Sequence, residues 1–179
     1  MSELSSAYAG ALFELACEEN ISGDILSQSE QLLEILKTTP EFVKLLSAPT
    51  VTSEEKLQLT DNIFADKLNR NLLNFIKVMI QHGDTLWLAE SLSDYEKLYN
   101  KANNIEKATA ITAVAMGEGQ LQRLKARLDK VTGKNVVLTN KVDPGCIGGV
   151  VLQFSDKQYD SSISHKLRVL KDQLADING

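Results

Sequence analysis

Cysteine is the first scarcity: 179 residues hold two, Cys17 and Cys146. Two distant thiols form neither a disulfide framework nor a zinc site, and such usage is that of a reducing, cytosolic environment. Histidine is as rare, with two residues, so imidazole catalysis and metal ligation have little to draw on. Long apolar runs are missing as well. A bilayer span needs ~20 largely apolar residues. The longest uncharged stretch, Pro144 to Ser155, has 12 residues and carries three glycines. The first basic residue is Lys37. That removes the positive start of a secretory signal and the arginines of a transit peptide, so Met1 is expected to open the working protein. Basic charge is also short: 19 Lys and Arg stand against 24 Asp and Glu, for a net charge of −5. Phosphate neutralisation supplies most non-specific nucleic-acid affinity, so an acidic chain is a poor candidate for that role and for binding anionic lipid.

What is present suffices for a packed core. Hydrophobic residues make up 43% and charged residues 24%, an ordinary globular balance, and the length suits one domain or two small ones. The texture changes partway along. Residues 1–105 read as helices throughout, while residues 106–179 alternate β-rich runs with two helices. Charge divides at the same point, with a net −8 in the first part and +3 in the second. That asymmetry points to different partners for the two halves.

The first helix is expected from about Ser5 to Glu19. At 100° per residue, Tyr8, Ala11, Leu12, Leu15 and their apolar neighbours sweep about 240° of the cylinder, where a surface helix needs ~100°. Glu14 and Glu18 share the remaining strip. Such a helix must bury two sides, one in its own domain and the other against a further helix of the bundle or a partner chain. A second helix runs from about Ser22 to Lys37. Thr39-Pro40 restarts the chain as N-cap and first helical position, and that short helix ends before Pro49. Thr52 facing Glu55 is a capping box that opens a fourth helix to about Phe64.

The fifth helix covers about Asn69 to His82 and stops at Gly83. Leu72, Phe75, Ile76 and Met79 fill its apolar arc, with Asn71, Asn74, Lys77 and Gln81 opposite. Val78 lies among those polar residues. It is either a stray exposed valine, which is common, or the centre of a small protein-binding patch. Asp84 is a candidate cap for the sixth helix. There Leu88, Leu92, Tyr95, Tyr99 and Ala102 repeat at helical spacing, and with Trp87 near the start this aromatic stripe reads as core rather than as a ligand site.

Then the period shortens. Ala108 to Ala115 is β-branched and nearly alternating, a strand. Glu118 to Lys130 is a helix with Leu121, Leu124 and Leu128 inward and a basic outer face. Asn135 to Val142 is a second strand, Asp143-Pro144-Gly145 a turn, and Ile147 to Phe154 a third strand entered through Gly148-Gly149. Gln158-Tyr159 is briefly extended. Asp160 or Ser161 then caps a last helix with Ile163, Leu167, Leu170, Leu174 and Ile177 on one face. The expected fold class is mainly α: an N-terminal six-helix bundle followed by a small α/β domain of order β-α-β-β-α.

No motif assembles an active site. Gly117-Glu118-Gly119 follows a strand and opens a helix, as a dinucleotide fingerprint should. Gln122 replaces its third glycine and no acid ends a second parallel strand at the needed distance, so it reads as a strand-to-helix turn. Gly133-Lys134 has Leu128 and Asn135 where a phosphate loop needs Gly and Ser/Thr. Gly145-Cys146-Ile147-Gly148 matches the GXXG pattern of KH domains but enters a strand, with no base beside it. His82 and His165 lack the context of a catalytic base, and Cys146 reads as a small buried residue. The adjacent acids Glu18-Glu19 and Glu54-Glu55 diverge around their helices. No catalytic residue, cofactor or metal is expected.

The run Val142-Asp143-Pro144-Gly145-Cys146-Ile147-Gly148-Gly149-Val150-Val151-Leu152-Gln153, followed by Tyr159-Asp160-Ser161-Ser162-Ile163 and a basic-apolar end, resembles the C-terminal signature of the ATP synthase delta subunit family. The mitochondrial oligomycin-sensitivity-conferring protein is a relative. Ser161 stands where that family usually has glycine, and Gln153 where it often has arginine. At the front, Ser6-Ala7-Tyr8-Ala9-Gly10-Ala11-Leu12-Phe13 is similar to the family's opening Tyr-Ala-x-Ala-Leu-Phe. Leu45-Leu46-Ser47-Ala48-Pro49 resembles its Leu-x-x-Pro segment, and Asn74 to Met79 followed by Gly83 its fifth helix. Order and spacing across nearly the whole chain carry the match, rather than any one motif.

The resemblance implies a stator, not an enzyme: a non-catalytic component of the F-type ATP synthase that links the catalytic head to the peripheral stalk and resists rotation during proton- or sodium-driven synthesis. It implies that residues 1–105 bind the amphipathic N-terminal helix of an alpha subunit in a groove between the first and fifth helices, at Tyr8, Ala11, Leu15, Asn74, Val78 and Gln81. It implies that residues 106–179 meet the peripheral-stalk b subunits, with Lys166, Arg168 and Lys171 as candidate contacts. The expected setting is peripheral, on the cytoplasmic face of the cell membrane, one copy per complex, with no membrane insertion and no nucleic acid. On the residues alone two other readings stay open: a helical adaptor of another complex, and a nucleotide- or RNA-binding module using the basic second half.

Overall fold

Residues 3–48, 50–146, 148–154 and 158–160 are described by the computed structural model, and the chain divides into two units between Ala102 and Asn103. The first unit contains α1 (Glu3–Glu18), α2 (Ser22–Thr38), α3 (Pro40–Ser47), α4 (Ser53–Phe64), α5 (Arg70–His82) and α6 (Leu88–Ala102), with a 3-10 turn at Thr85–Trp87. Local chemistry sets several of these ends. Thr52 Oγ1 accepts the Glu55 amide while Glu55 Oε2 accepts the Thr52 amide at 2.9 Å, the reciprocal box that starts α4. Asn69 Oδ1 accepts the Asn71 N–H at 2.9 Å at the head of α5. Gly83 closes that helix at φ 78°, a left-handed position that glycine adopts without steric cost.

Two expected caps differ. Thr39 precedes α3 without making a side-chain cap bond. Asp84 does not cap the turn that follows it, because its carboxylate accepts the Tyr8 hydroxyl instead.

One apolar cluster takes residues from all six helices; its enclosed members include Ile25, Leu32, Leu46, Leu72, Leu92 and Tyr95. Each such aliphatic side chain contributes ~1.5–3 kcal/mol when fully buried. Several polar groups inside are matched across the unit, while the buried hydroxyls of Ser29, Ser47 and Ser91 make no hydrogen bond. Ser5 Oγ donates to Asp94 Oδ2 at 3.0 Å, Tyr95 OH to the Ser22 carbonyl at 2.9 Å, and Thr85 Oγ1 to the Leu46 carbonyl at 3.2 Å. Trp87 was expected with the core stripe but is 38% exposed. The α-helix begins only at Leu88, and the 3-10 turn places Trp87 off the line of Leu88, Leu92 and Tyr95.

The second unit contains β1 (Ile105–Thr112), α7 (Glu118–Thr132), β2 (Asn135–Val142), β3 (Val150–Phe154) and β4 (Gln158–Asp160). The sheet order is β2-β1-β3-β4. β1 and β2 are parallel, in register from Ile105 opposite Asn135 to Thr112 opposite Val142, and α7 is the crossover such a pair requires. β3 runs antiparallel to β1, and β4 antiparallel to β3. Among the described residues Ala108, Leu128 and Val136 form a buried apolar cluster, with Leu124, Leu138, Leu152 and Phe154 packed against it.

The chain is thus mainly helical with a small mixed sheet. β1 starts three residues ahead of Ala108, because Ile105 to Lys107 pair with Asn135 to Val137 and Lys134 Nζ meets Glu106 Oε2 at 2.6 Å. It stops at Thr112, where Thr112 Oγ1 donates to the Val114 carbonyl at 2.8 Å and turns the chain. β3 starts at Val150, after Gly149 at φ 89°. The short extended Gln158-Tyr159 becomes a fourth strand, opposite Gln153 and Leu152. The last helix expected after Asp160 lies outside the described residues.

Candidate functional site

The described residues of the motifs weighed for chemistry have ordinary structural roles, and His165 lies outside the described residues. The Gly117 amide is taken by Gln120 Oε1 at 3.1 Å, inside the turn that starts α7. Cys146 is buried, its thiol directed at the Gly148 carbonyl at 3.8 Å. His82 ends α5 on the surface. Among the described residues no three His, Cys, Asp or Glu side chains gather as metal ligands.

The seam between α1 and α5 is different. Two hydrogen bonds tie the helices at opposite ends. Tyr8 OH, early in α1, donates to Asp84 Oδ2, just past α5, at 2.8 Å. Asn71 Nδ2, early in α5, donates to Glu19 Oε2, just past α1, at 2.7 Å. The two helices therefore run antiparallel, and the ties bracket roughly 17 Å of α1 at 1.5 Å rise per residue. Between the ties the Tyr8 ring meets Phe75 edge-on, with centroids 6.1 Å apart at 84°.

Ala9, Leu12 and Ala16 turn into the core from α1; Ala11 and Leu15, one step round the wheel, stay exposed, Leu15 at 39%. From α5, Leu72, Ile76 and Met79 turn inward while Asn74, Val78 and Gln81 stay exposed, Val78 at 42%. The six expected site residues thus lie on two joined helices, with Tyr8 half-buried and the other five exposed. The wide apolar arc of α1 is buried on one side only. Val78 is an exposed valine between exposed amides.

The charges nearby are distributed unevenly. Lys77 Nζ, on the polar face of α5, is paired with Asp61 Oδ1 of α4 at 2.6 Å. Glu14 and Glu18 are exposed on α1. Burial, then the hydrogen bond to Asp84 and its charge, push the Tyr8 phenol above its ordinary range, so at neutral pH it is a donor. Sequence reasoning missed both ties. Asn71 was visible only as a polar face residue, and Asp84 only as a cap. Lys166, Arg168 and Lys171 lie outside the described residues.

Comparison with known proteins adds the following. The family model described as ATP synthase delta (OSCP) subunit matches residues 4–174. The chain is 37% identical over 178 residues to ATP synthase subunit delta of Alkaliphilus oremlandii, covering 99% of each chain. It is 31% identical over 175 residues to the same-named protein of Clostridioides difficile, covering 97% of each. Its fold is similar to a chain in the cryo-EM structure of the Toxoplasma gondii mitochondrial ATP synthase hexamer, with a TM-score of 0.78 over 97% of this chain and 98% of that one at 20% identity.

Proposed function

The chain belongs to the ATP synthase delta (OSCP) family, and from that premise we propose how it does its work. It is a non-catalytic stator component that links the catalytic head to the peripheral stalk. The helical unit, acting as a six-helix bundle, receives the amphipathic N-terminal helix of an alpha subunit along the α1–α5 seam, at Tyr8, Ala11, Leu15, Asn74, Val78 and Gln81. The second unit meets the peripheral-stalk b subunits, with Lys166, Arg168 and Lys171 toward acidic stalk helices. One copy serves each complex, peripherally, at the cytoplasmic face of the cell membrane, whether protons or sodium drive synthesis.

The observation that carries the groove reading is the exposure of Leu15 at 39% and Val78 at 42% on two helices that hydrogen bonds join at both ends. An amphipathic helix laid there buries apolar area at ~25 cal/mol per Å², less the cost of association. The small side chain of Ala11 permits close approach of a partner backbone. The exposed acids of α1 favour a partner with basic flanks.

Titration calorimetry with a synthetic alpha-subunit N-terminal peptide tests this on the wild type and on Val78→Asp. Wild type binds, and the substitution abolishes binding with the helical spectrum unchanged. A carboxylate brought into a closing apolar contact costs several kcal/mol, enough for a loss of more than a hundredfold. No binding by the wild-type chain sinks the groove reading and turns attention to another partner.

A further inference from the structure

Asp84 follows directly on the glycine that stops α5. Its amide donates to the Met79 carbonyl at 2.9 Å, and its own carbonyl accepts the Trp87 N–H at 2.9 Å, so its backbone is held on both sides. From that position an aspartate ordinarily caps the next helix. No cap bond forms. Its Oδ2 accepts the hydroxyl of Tyr8, 76 positions away, at 2.8 Å. The Tyr8 ring is thereby fixed twice, by its edge-on contact with Phe75 and by its phenol oxygen. A carboxylate that forgoes a local cap to hold a distant, half-buried ring beside two exposed helix faces has a purpose other than helix initiation.

We propose that Asp84 is a positioning residue for the α1–α5 docking surface, setting the orientation of the Tyr8 ring so that the surface is formed before a partner helix arrives. The inference rests on the reading that this seam receives such a helix. A tyrosine without that anchor samples further rotamers, and binding then has to fix it; a preorganised ring removes that cost. Asp84 acts through Tyr8 and needs no contact of its own with the partner.

The test is calorimetric titration of the full chain with the alpha-subunit N-terminal peptide, for wild type, Tyr8→Phe, Asp84→Ala, Asp84→Asn and the double variant Tyr8→Phe/Asp84→Ala. A lost hydrogen bond of this kind weakens binding roughly three- to tenfold. Tyr8→Phe and Asp84→Ala are each expected to show that loss, and the double variant no more than either alone. Asp84→Asn, which keeps an acceptor oxygen, recovers most of the affinity. Wild-type affinity in folded Asp84→Ala, or losses that add in the double variant, would overturn the inference. A merely structural role would lower the melting temperature and leave affinity intact. If Asp84→Ala does not fold, Tyr8→Phe decides, since unchanged affinity there also overturns it. A wild-type chain that binds no peptide overturns the partner reading beneath it, a failure distinct from the others.

Discussion

The two units stabilise themselves by different means. The helical unit encloses a continuous cluster drawn from six helices, locked by long-range side-chain bonds such as Ser5 to Asp94 and Tyr95 to Ser22. Among its described residues the sheet unit has Ala108, Leu128 and Val136 at its centre, with Leu124, Leu138, Leu152 and Phe154 against them. It relies on its parallel ladder and on polar ties at the margins. Asp129 Oδ1 accepts the Val136 amide at 2.7 Å, and Asn140 bridges from the Ala110 carbonyl at 2.8 Å to the Met116 amide at 2.8 Å. The difference follows from size: a smaller unit buries a smaller fraction of its surface and keeps less stability in reserve. A unit with a deep core can leave a face such as Leu15 and Val78 uncovered and still stand.

Cutting each core tests this contrast most severely. Leu92, fully buried in α6, replaced by alanine is expected to cost about 3–4 kcal/mol, and Leu128→Ala in α7 about 2–3 kcal/mol. The smaller loss should do the greater damage. Leu92→Ala lowers the melting transition of the helical unit, reported by the fluorescence of the single tryptophan, Trp87, but leaves it folded. Leu128→Ala removes the amide-exchange protection of β1 and β2 altogether. Preserved protection in Leu128→Ala would break the comparison.

Buried charge gives a second, smaller contrast. Asp94 is 4% exposed, and burial works to raise its pKa. The hydrogen bonds from Lys97 at 2.7 Å and Ser5 at 3.0 Å, with the charge of Lys97, outweigh burial and hold the carboxyl below its usual range. A depressed native pKa stabilises above the unfolded value, about 3.9, and that contribution is lost as pH falls through the native value. Asp94→Asn is therefore expected to cost about 1.5–3 kcal/mol at pH 7. Its deficit against wild type should shrink in urea melts below about pH 4. Asp129 is also held low, first by the Val136 amide and then by Lys125, but it sits at the surface, so Asp129→Asn should show a weaker pH dependence. A deficit for Asp94→Asn that stays constant into acid would refute the linkage.

The legibility of the two units differs in the same way. Signals written within one turn of chain were readable: the Thr52–Glu55 box, the Gly83 stop, and the limits of β2 at Asn135 and Val142. So was the exposure of Val78, which follows from helical periodicity. For α1 periodicity showed only that the apolar arc is too wide for one side. It left open whether a further helix or a partner covers the rest, which is exposed at Ala11 and Leu15. Features decided by distant partners were not. Asp84 reads locally as a cap and becomes the anchor of Tyr8 only once α1 and α5 are side by side. The start of β1 moved to Ile105 because pairing with Asn135 to Val137 extends a strand whose own alternation begins later.

The smallest expected effect sharpens the comparison by applying the same local change to both units. Gly10 in α1 and Gly119 in α7 are helical glycines, and a Cβ at either meets nothing within 4 Å. Alanine at each should stabilise by about 0.5–1 kcal/mol, by reducing the freedom of the unfolded chain without cost in the folded one. The intrinsic gain is the same in both places because it depends on the backbone alone, not on the neighbouring core. In the helical unit it adds to a stability set by many buried side chains, so the Trp87 transition moves by a few degrees. In the sheet unit the same gain is a larger share of a smaller total, so amide protection in β1 should rise about two- to fivefold in Gly119→Ala. A rise in Gly10→Ala but none in Gly119→Ala would mean that α7 opens independently of the sheet it covers. The sheet unit would then be not a small version of the helical unit but a ladder with a helix loosely attached.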